Sequence, residues 1–503
     1  MNQLLLGYDI GSSFVKASLV DADTGVLVRS ASSPPQEMRI DSPQPGWAEQ
    51  HPETWWTNVV AVTKKLLSEN GSRASGICAI GISYQMHGLV LIDKNQNILR
   101  PSIIWCDSRA VSLGNKAFSE LGADYCLGHL LNSPGNFTAS KLKWVKDHEP
   151  KVFAKISKIM LPGDFVAMKL TGEVCTTIPG LSEGVFWDFP ERRIASTLLG
   201  YYGFDPGLIP QIVPTFGIQG KLTAKAASEL GLKQGVPVAY RAGDQPNNAY
   251  SLNVLNPGEV AATAGTSGVI YGVTSENLFD TSCRVNIFAH VNYSEEHPSK
   301  GILLCINGTG IQYSWINHQL FDGRYTYEQM NQLAAGVEIG SEGLLCHPFG
   351  NGAERSLENR EVHGHFSGIN FNIHNKGHLI RAAQEGIAFS FRYGLDIMKQ
   401  MGMKFSVIRA SHANLFKSDV FQEAVVNSCG VDLEIYDTDG AQGAARGSGV
   451  GARVFASHEE ALRGLKANHN LQPRQEIVRK YGLAYERWKA HLTRIVNMEK
   501  FPV

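Results

Sequence analysis

The sequence lacks the apolar segment that a membrane-spanning helix needs, which is about 18 residues or more. Its charges are nearly balanced, with 46 Lys and Arg against 47 Asp and Glu and a formal net charge of −1. It therefore has no excess of basic residues for binding nucleic acid and no polybasic stretch for an anionic membrane. Nucleic acid and membranes are accordingly not expected as partners.

Cysteines in a metal-binding spacing are also absent. None forms a Cys-x-x-Cys motif, and the eight cysteines are scattered over positions 78, 106, 126, 175, 283, 305, 346 and 429. This distribution argues against structural zinc and against a disulfide framework, and it fits a reducing compartment. The first residues lack the basic segment and the length of a secretion signal, so we expect a cytoplasmic protein.

What the sequence does contain is two similar turns of Gly, Ser and Thr, far apart, each flanked by apolar residues that predict strands. The first is Gly11-Ser12-Ser13 and the second is Gly265-Thr266-Ser267-Gly268. Glycine lets the main chain approach an anion closely, and the N–H groups and hydroxyls of such turns donate to phosphate oxygens. Two of them, one opening each half, predict a phosphate chain bound between two related lobes. That arrangement is typical of a nucleotide-dependent kinase or an ATPase.

Strands and helices alternate in both halves, which predicts two α/β domains. In the first half we expect a meander over 3–32, a helix from Pro52, a strand over 77–82, helices over 137–147 and 161–171, and an irregular stretch over 180–215. In the second half we expect strands over 302–306, 405–409 and 432–436, and helices over 310–320, 378–401, 418–429 and from 440. A Pro-Gly turn at 257–258 lies between the halves, so we place the domains at 1–255 and 256–503, the second ending in a helical tail.

Together, these residues resemble the FGGY carbohydrate kinase family over essentially the whole chain. The motifs that carry the resemblance are Gly7-x-Asp9-x-Gly11-x-Ser13, Gln85-Met86-His87-Gly88, Trp105-x-Asp107-x-Arg109, Gly243-Asp244 and Gly265-Thr266-Ser267-Gly268. The resemblance implies two related actin/hexokinase-like (ribonuclease H-like) domains around a central cleft. It also implies a sugar kinase that uses ATP and Mg²⁺, and a homodimer is an expectation because dimers are common in the family.

Within the family, the Gln85-Met86-His87-Gly88 motif is similar to that of the xylulokinases. By this resemblance Gln85, Met86 and His87 contact the sugar, with His87 bonding a hydroxyl and Met86 packing on the carbon chain. The expected activity is transfer of the γ-phosphoryl group of ATP to the terminal hydroxyl of D-xylulose, giving D-xylulose 5-phosphate. The alternatives are a family member that acts on another ketose or polyol, and a non-catalytic regulator that binds sugar and nucleotide.

Two aspartates are the candidate catalytic residues. The resemblance makes Asp244 the general base that accepts the proton of the attacking hydroxyl, and the alternative role is a helix N-cap. Asp9 beside triphosphate oxygens would repel them unless a cation lay between, so it is expected to hold Mg²⁺ through water. The alternative for Asp9 is a turn aspartate that bonds its own backbone.

The remaining candidate nucleotide contacts come from both halves. Ser12 and Ser13 are expected to donate to phosphate, and Lys16 either reaches the β- and γ-phosphate oxygens or is a solvated strand residue. Gly265, Thr266 and Ser267 are expected to receive the γ-phosphoryl group from the opposite side. The candidate adenosine site consists of Gly310, Asn414, Gly440 and Gln442, because small residues let a purine lie against the backbone.

A third motif leaves two roles open. Trp105, Asp107 and Arg109 either contact the sugar or form a structural salt bridge at a strand end.

Two positions depart from the pattern of the family. Gln245 stands where an Asn usually follows the catalytic Asp, and we expect it to keep the polarity and to shift the sugar contacts. Arg409-Ala410 stands where a Gly-Gly pair usually begins the adenine loop. Arg409 is therefore a candidate to contact a phosphate or to stack on the base.

Overall fold

The computed structural model describes residues 3–68 and 74–498. The strands of the first half are β1 (Leu4–Ile10), β2 (Val15–Asp21), β3 (Leu27–Ser33), β4 (Glu49–Gln50), β5 (Ile77–Tyr84), β6 (Val90–Ile92), β7 (Ser102–Ile103), β8 (Lys158–Met160), β9 (Cys175–Thr176), β10 (Trp187–Asp188), β11 (Arg193–Ile194), β12 (Gln211–Ile212), β13 (Phe216–Lys221) and β14 (Pro237–Gly243). Its helices are α1 (Pro52–Leu67), α2 (Val111–Leu121), α3 (Ala123–His129), α4 (Thr138–His148), α5 (Pro150–Phe153), α6 (Pro162–Thr171), α7 (Ile178–Glu183), α8 (Ser196–Tyr202), α9 (Ala224–Leu230) and α10 (Asp244–Ser251).

The second half continues the alternation of strands and helices. Its strands are β15 (Glu259–Ala264), β16 (Gly268–Thr274), β17 (Asn286–Ala289), β18 (Lys300–Ile306), β19 (Leu345–Phe349), β20 (His363–Ser367), β21 (Val407–Ser411), β22 (Asp432–Tyr436) and β23 (Ala467–Leu471). Its helices are α11 (Gly310–Trp315), α12 (Tyr327–Ala335), α13 (Lys376–Gln400), α14 (Asp419–Cys429), α15 (Gly440–Gly451), α16 (His458–Leu462) and α17 (Gln475–Met498).

Each half is built around one large mixed sheet, and the two sheets repeat the same arrangement. The first has the order β13-β14-β5-β1-β2-β3 and the second the order β17-β18-β16-β15-β21-β22-β23. In both, a meander is followed by two strands parallel to its first strand, which are β5 and β14 in the first sheet and β21 and β22 in the second. In each sheet a further strand, β13 or β23, lies antiparallel beside the second of these two strands. This repeat confirms the prediction of two related α/β domains. We propose the boundary after residue 255, in the connection from α10 to β15.

Most predicted elements are found close to their expected bounds, with informative differences. The helix from Pro52 is α1, because proline suits the first helical turn, and the predicted strand over 432–436 is β22. The strand predicted over 405–409 starts at Val407, where it begins to pair with Glu259 of β15. The helix predicted over 310–320 ends as an α-helix at Trp315 and continues as a π-helical turn over Ile316–Leu320.

The first sheet is covered on one face by its own half and on the other by a helix of the second half. Leu6 and Tyr8 of β1 belong to a buried cluster with Trp55 of α1. Leu5, which points to the opposite face, belongs to a cluster with Ala445 of α15. The two halves are therefore joined by a shared core as well as by the chain connection.

Two glycines allow α15 to lie directly on the backbone of the first sheet. A Cβ atom on Gly7 of β1 would come within 1.9 Å of the Ala441 carbonyl oxygen, and one on Gly81 of β5 within 1.9 Å of the Ala444 carbonyl oxygen. Any side chain at these positions would displace the helix. α15 begins at the cleft, so this contact positions part of the site described below. No helix within residues 3–68 and 74–498 has the length and apolar character to cross a membrane.

Candidate active site

A cavity of about 230 Å³ lies between the two halves. Residues of both halves line it, and they include Asp9, Lys16, Thr263, Asn414, Asp439 and Gly440. The structure thus brings Asp9 and Lys16, which flank the first predicted phosphate turn, together with Asn414 and Gly440 of the candidate adenosine site. These residues are more than 390 positions apart in the chain.

The first turn is closed by a hydrogen bond from the Gly11 N–H to the Phe14 carbonyl oxygen, at 3.0 Å. The Ser12 hydroxyl accepts a hydrogen bond from Trp105 Nε1 at 3.3 Å. Lys16 is exposed and pairs directly with Asp9 across β1 and β2, so both side chains lie on the same face of the sheet. The Lys16 ammonium group therefore lies near the Asp9 carboxylate at the cavity.

The second turn connects β15 to β16 and packs against the start of α11. The carbonyl oxygens of Gly265 and Thr266 accept hydrogen bonds from the N–H groups of Gly310 and Ile311, at 2.8 and 3.1 Å. Thr266 and Ser267 are exposed. Gly310 thus positions the second turn by backbone contact, and the hydroxyls of the turn stay free to donate.

Asp9 is the last residue but one of β1 and receives a hydrogen bond from the Ser83 hydroxyl at 2.9 Å. Burial raises the pKa of its carboxyl, Lys16 opposes that rise, and the negative charge of Asp439 adds to it. Gly440 lies against the Asp9 carboxylate, since a Cβ atom there would be 2.7 Å from Asp9 Oδ2. Among the residues described, no three His, Cys, Asp or Glu side chains converge closely enough to hold a metal ion by themselves.

Asp244 lies in the first turn of α10, directly after β14. The N-cap of the helix is Gly243, so the alternative role of Asp244 as the cap does not describe this geometry. Burial first and the charge of Asp9 second raise the pKa of Asp244 to about 7, while hydrogen bonds from Gln245 oppose the rise. A carboxylate with a pKa near neutrality is suited to accept a proton in a reaction near pH 7.

His87 occupies a turn after β5 with a φ of 61°, which is strained for a residue with a side chain. Its Nδ1 lies 2.9 Å from the Glu183 carbonyl oxygen, so Nδ1 carries the hydrogen and Nε2 is left as an acceptor. Burial lowers the pKa of His87 to about 3, and the ring is neutral. Phe137 and Phe288 pack on it with centroids 4.8 and 5.2 Å away.

The neighbours of His87 in the motif are more enclosed. Met86 is 4% exposed and Gln85 is 3% exposed. The Gln85 N–H donates to the Ile10 carbonyl oxygen at 2.8 Å, and its side-chain amide lies 3.5 Å from Gln50 Oε1. Gln85 therefore links the turn that contains His87 to the end of β1, just before the turn at Gly11.

Asp107 and Arg109 form a buried ion pair. Arg109 Nη2 lies 2.7 Å from Asp107 Oδ2, and Arg109 Nη1 lies 2.7 Å from Glu49 Oε1. The guanidinium carbon is 3.8 Å from the centroid of the Trp47 ring. This is the geometry of the salt-bridge alternative, whereas Trp105 is 52% exposed and lies at the cleft. The ion pair holds the loop that presents Trp105.

Comparisons with known proteins agree on one family. The profile of the N-terminal domain of the FGGY family of carbohydrate kinases matches residues 4–250, and that of its C-terminal domain matches residues 260–452. This chain belongs to the FGGY family of carbohydrate kinases. It is 27% identical to the xylulose kinase of Bacillus subtilis (strain 168), over 96% of each chain. It is 26% identical to that of Escherichia coli (strain K12), over 91% of each chain.

Solved structures of FGGY kinases share the fold over the full length. A xyloylose kinase from Brucella ovis superimposes with a TM-score of 0.88 at 26% identity, covering 99% of this chain and 100% of the other. The glycerol kinase of Plasmodium falciparum gives 0.87 at 17% identity, covering 98% of each chain, and this likeness concerns the fold alone. The architecture of this FGGY kinase is therefore the predicted actin/hexokinase-like pair of domains.

The structure of this FGGY kinase also places residues at the cleft that sequence reasoning missed. Asp439 caps α15, and its Oδ1 accepts a hydrogen bond from the Gln442 N–H at 2.9 Å. An Asp directly before the predicted start of a helix is a sequence pattern that indicates such a cap. Glu183 and Arg355 approach His87, the second from the other half of the chain. No local pattern marks these two residues, because the fold alone brings them to the site.

Two predicted nucleotide residues of the kinase have other partners. Gln442 is 5% exposed, and its side-chain oxygen accepts a hydrogen bond from Arg446. Arg409 Nε lies 2.7 Å from Glu434 Oε2, and its Nη1 lies 3.1 Å from Glu259 Oε1. The charge of Arg409 is thus matched by carboxylates of two neighbouring strands.

A titration of carboxyl groups would test the coupling between the two aspartates of this kinase. In the free protein we expect Asp244 to lose its proton near pH 7, and in Asp9→Asn at a lower pH, because one negative charge beside it has gone. The measurement is ¹³C NMR of labelled aspartate carboxyls, with the Asp244 signal assigned by its loss in Asp244→Asn. An unchanged midpoint in Asp9→Asn would contradict the coupling.

Proposed function

We propose that this kinase transfers the γ-phosphoryl group of ATP to the terminal hydroxyl of D-xylulose, with Mg²⁺ present, giving D-xylulose 5-phosphate and ADP. The observation that carries the proposal is Asp244, a carboxylate with a pKa of about 7 that follows a strand of the first sheet and lies close enough to Asp9 to be influenced by its charge. We assign the turn of His87 and the two predicted phosphate turns to the same reaction centre.

In the proposed reaction, Asp244 accepts one proton. As the sugar hydroxyl oxygen forms a bond with the γ-phosphorus, its proton passes to Asp244, and the bond from the γ-phosphorus to the oxygen of the β-phosphate breaks. Phosphoryl transfer needs little beyond in-line positioning and neutralisation of charge. Asp244 meets the requirement for a base because its pKa lies near the pH of the reaction.

The two turns are assigned to neighbouring groups of the triphosphate. Ser12, Ser13 and Lys16 are assigned to the β-phosphate and Thr266 and Ser267 to the transferred group; Lys16, Thr266 and Ser267 are exposed, and Ser12 and Ser13 are half-buried. Gly310, Asn414 and Gly440 are assigned to the adenosine side. Closure of the two halves would exclude water, which would otherwise accept the phosphoryl group.

The acidic residues at the cavity fit a magnesium ion held partly by phosphate. Asp9 is flanked by Asp439 and Asp244, and the pKa values of Asp9 and Asp244 are raised by this crowding and by burial. A cation beside Asp9 would relieve the repulsion between these carboxylates and the phosphate oxygens. Bound Mg²⁺ supplies charge neutralisation and orientation of the phosphates, and Asp9 would hold it through water.

The assignment of D-xylulose rests on the residues around His87 and on the names of the relatives. His87 Nε2 can accept a hydrogen bond from a sugar hydroxyl. The exposed ring of Trp105 is suited to pack against the C–H groups of the sugar. Gln245 directly follows Asp244 in the chain, and we assign it a contact with the sugar. The two curated relatives compared above, which the chain matches over 91% or more of their length, are xylulose kinases.

An assay of ADP release tests the function. The panel would hold D-xylulose, L-xylulose, D-ribulose, L-ribulose, L-fuculose, glycerol and gluconate with Mg-ATP, and Asp244→Ala would be the blank. A dominant signal on D-xylulose that depends on Asp244 is the expected result. A dominant signal on another substrate would keep the kinase and overturn the sugar, and silence on all of them with ATP still bound would favour the regulator.

His87→Ala should raise the KM for the sugar by about tenfold, which corresponds to the loss of about 1.4 kcal/mol from a hydrogen bond and its ring contacts. The KM for ATP should stay within about twofold. Steady-state kinetics with each substrate varied would measure both values, with His297→Ala as the control because His297 is an exposed loop residue. A larger rise in the KM for ATP would move His87 out of the sugar site.

A further inference from the structure

Glu183 is a buried acid at the site for which the proposed chemistry has no use. It is the last residue of α7 and is 1% exposed. Its main-chain carbonyl oxygen holds His87 Nδ1 at 2.9 Å. Its side chain lies against the start of the catalytic helix, because a Cβ atom on Gly243 would be 2.4 Å from Glu183 Oε2. One residue therefore contacts both His87 and the residue before Asp244.

The contact with His87 is double. Besides the bond from Nδ1 to the main-chain carbonyl, the backbone N–H of His87 faces the Glu183 carboxyl closely enough to lower its pKa. His87 has a φ of 61°, a conformation that persists only where the surroundings enforce it. Lys141 Nζ adds a hydrogen bond to the His87 carbonyl oxygen at 3.0 Å. The strained turn is thus fixed at its ring and its carbonyl group, and its N–H faces the Glu183 carboxyl.

The charges around Glu183 favour its neutral form. Asp244 and Asp164 both face it with negative charge, and their effect on its pKa is opposed by the Tyr84 hydroxyl and the His87 backbone N–H; the Tyr271 phenol is also near. The Arg241 guanidinium pairs with Asp164, with Nε 2.9 Å from Oδ1. Burial, then Asp244, then Asp164 raise the pKa of Glu183 well above its usual range. An ionised Glu183 would lie beside Asp244 without a cation, which is costly in a buried place.

We propose that Glu183 is a positioning residue which, as an uncharged carboxylic acid, fixes the sugar-binding turn at His87 relative to the base Asp244. The proposal rests on the proposed roles of those two residues. An uncharged acid fills the space beside Gly243 and bonds the turn, and it adds no second negative charge next to the base. An uncharged side chain of similar shape at position 183 should therefore preserve activity. A smaller side chain that leaves the space beside Gly243 empty should not.

The test compares Glu183→Gln with Glu183→Ala, and with Glu191→Gln as a control for an exposed glutamate eight positions along the chain. Glu183→Gln should keep kcat and both KM values within about threefold, and keep the pH at half-maximal kcat within about 0.3 units. Glu183→Ala should lower kcat and raise the sugar KM, each by about tenfold or more, with the KM for ATP unchanged. Glu183→Met, which keeps the volume and loses the bonds, replaces the alanine variant if that does not fold.

Two kinetic outcomes would overturn the proposal. A fall of about one unit in the pH midpoint of Glu183→Gln would mean that Glu183 is ionised while Asp244 titrates. Unchanged kinetics in both Glu183→Ala and Glu183→Met would mean that it positions nothing. If the wild type prefers another sugar in the panel, the same comparison is made with that sugar.

A measurement independent of activity separates this proposal from the proposed function. In ¹³C-glutamate-labelled protein, the carboxyl signal that disappears in Glu183→Gln should have the chemical shift of a protonated acid at pH 7. An ionised shift at pH 7 would overturn the proposal even if D-xylulose is the substrate. A protonated shift would support the uncharged acid even if no sugar in the panel reacts.

Discussion

Replacement of Asp244 by alanine should lower kcat for sugar phosphorylation by about 10²–10⁴-fold, the range in which general bases contribute. The loss should appear in kcat, because the carboxylate acts on the proton of the attacking hydroxyl. ADP binding should be nearly unchanged, because the adenosine side is assigned to Asn414, Gly310 and Gly440. Coupled ADP release and calorimetric titration with ADP measure the two properties.

Controls for this prediction exist in the chain. Asp124 is an exposed aspartate in the first turn of α3, as Asp244 is in the first turn of α10, and Asp124→Ala should keep kcat. Asp244→Asn should unfold at a temperature no lower than the wild type, because burial and Asp9 disfavour the ionised carboxylate in the folded protein. Turnover retained by Asp244→Asn would remove Asp244 from the role of base.

The parts of the site that the sequence predicts are those encoded by neighbouring residues. The turns at Gly11 and Gly265 could be read because a run of apolar residues, a glycine and hydroxyl residues follow one another within a few positions. Asp9 could be predicted for the same reason, since only Ile10 separates it from the first turn. The repeated order of strands also predicts that the two turns occupy equivalent positions in their halves, once both halves are identified as α/β units.

The parts that could not be predicted depend on distant partners. Arg409 belongs to an unusual motif, yet its charge is matched by Glu259 and Glu434, which come from strands far apart in the sequence. Similarly, the sequence does not distinguish whether Asp107 and Arg109 bind the sugar or form an ion pair. The structure decides this by placing Glu49 and the Trp47 ring beside Arg109. In each case the side chain's partner decides its role, and tertiary structure alone supplies the partner.

The small residues of α15 illustrate the same limit on a larger scale. Their pattern in the sequence indicates close packing, and the structure shows that the surface they pack on belongs to the other half of the chain. The helix starts at Asp439 and Gly440 in the cleft, and farther along it lies on Gly7 and Gly81 of the first sheet. Packing between the halves and the geometry beside Asp9 are therefore linked through one rigid element.

Gly81→Ala should consequently damage both stability and nucleotide binding. The new methyl group would lie 1.9 Å from the Ala444 carbonyl oxygen and 2.7 Å from its carbon, and backbone atoms cannot give way as a side chain can. We expect a loss of about 1–3 kcal/mol or more in the free energy of unfolding. The displaced α15 would move Gly440 away from Asp9, so the KM for ATP should rise more than the KM for the sugar.

Gly482→Ala is the matched control, because the same substitution there should have the opposite effect on stability. Gly482 lies within α17, and a Cβ atom on it would meet nothing within 4 Å. Alanine should therefore stabilise the helix by about 0.5–1 kcal/mol, with kcat and both KM values unchanged. Chemical denaturation of the two variants beside the wild type measures the difference. If Gly81→Ala were as stable as the wild type, α15 would not be held by backbone contact, and its link to the cleft would fail with it.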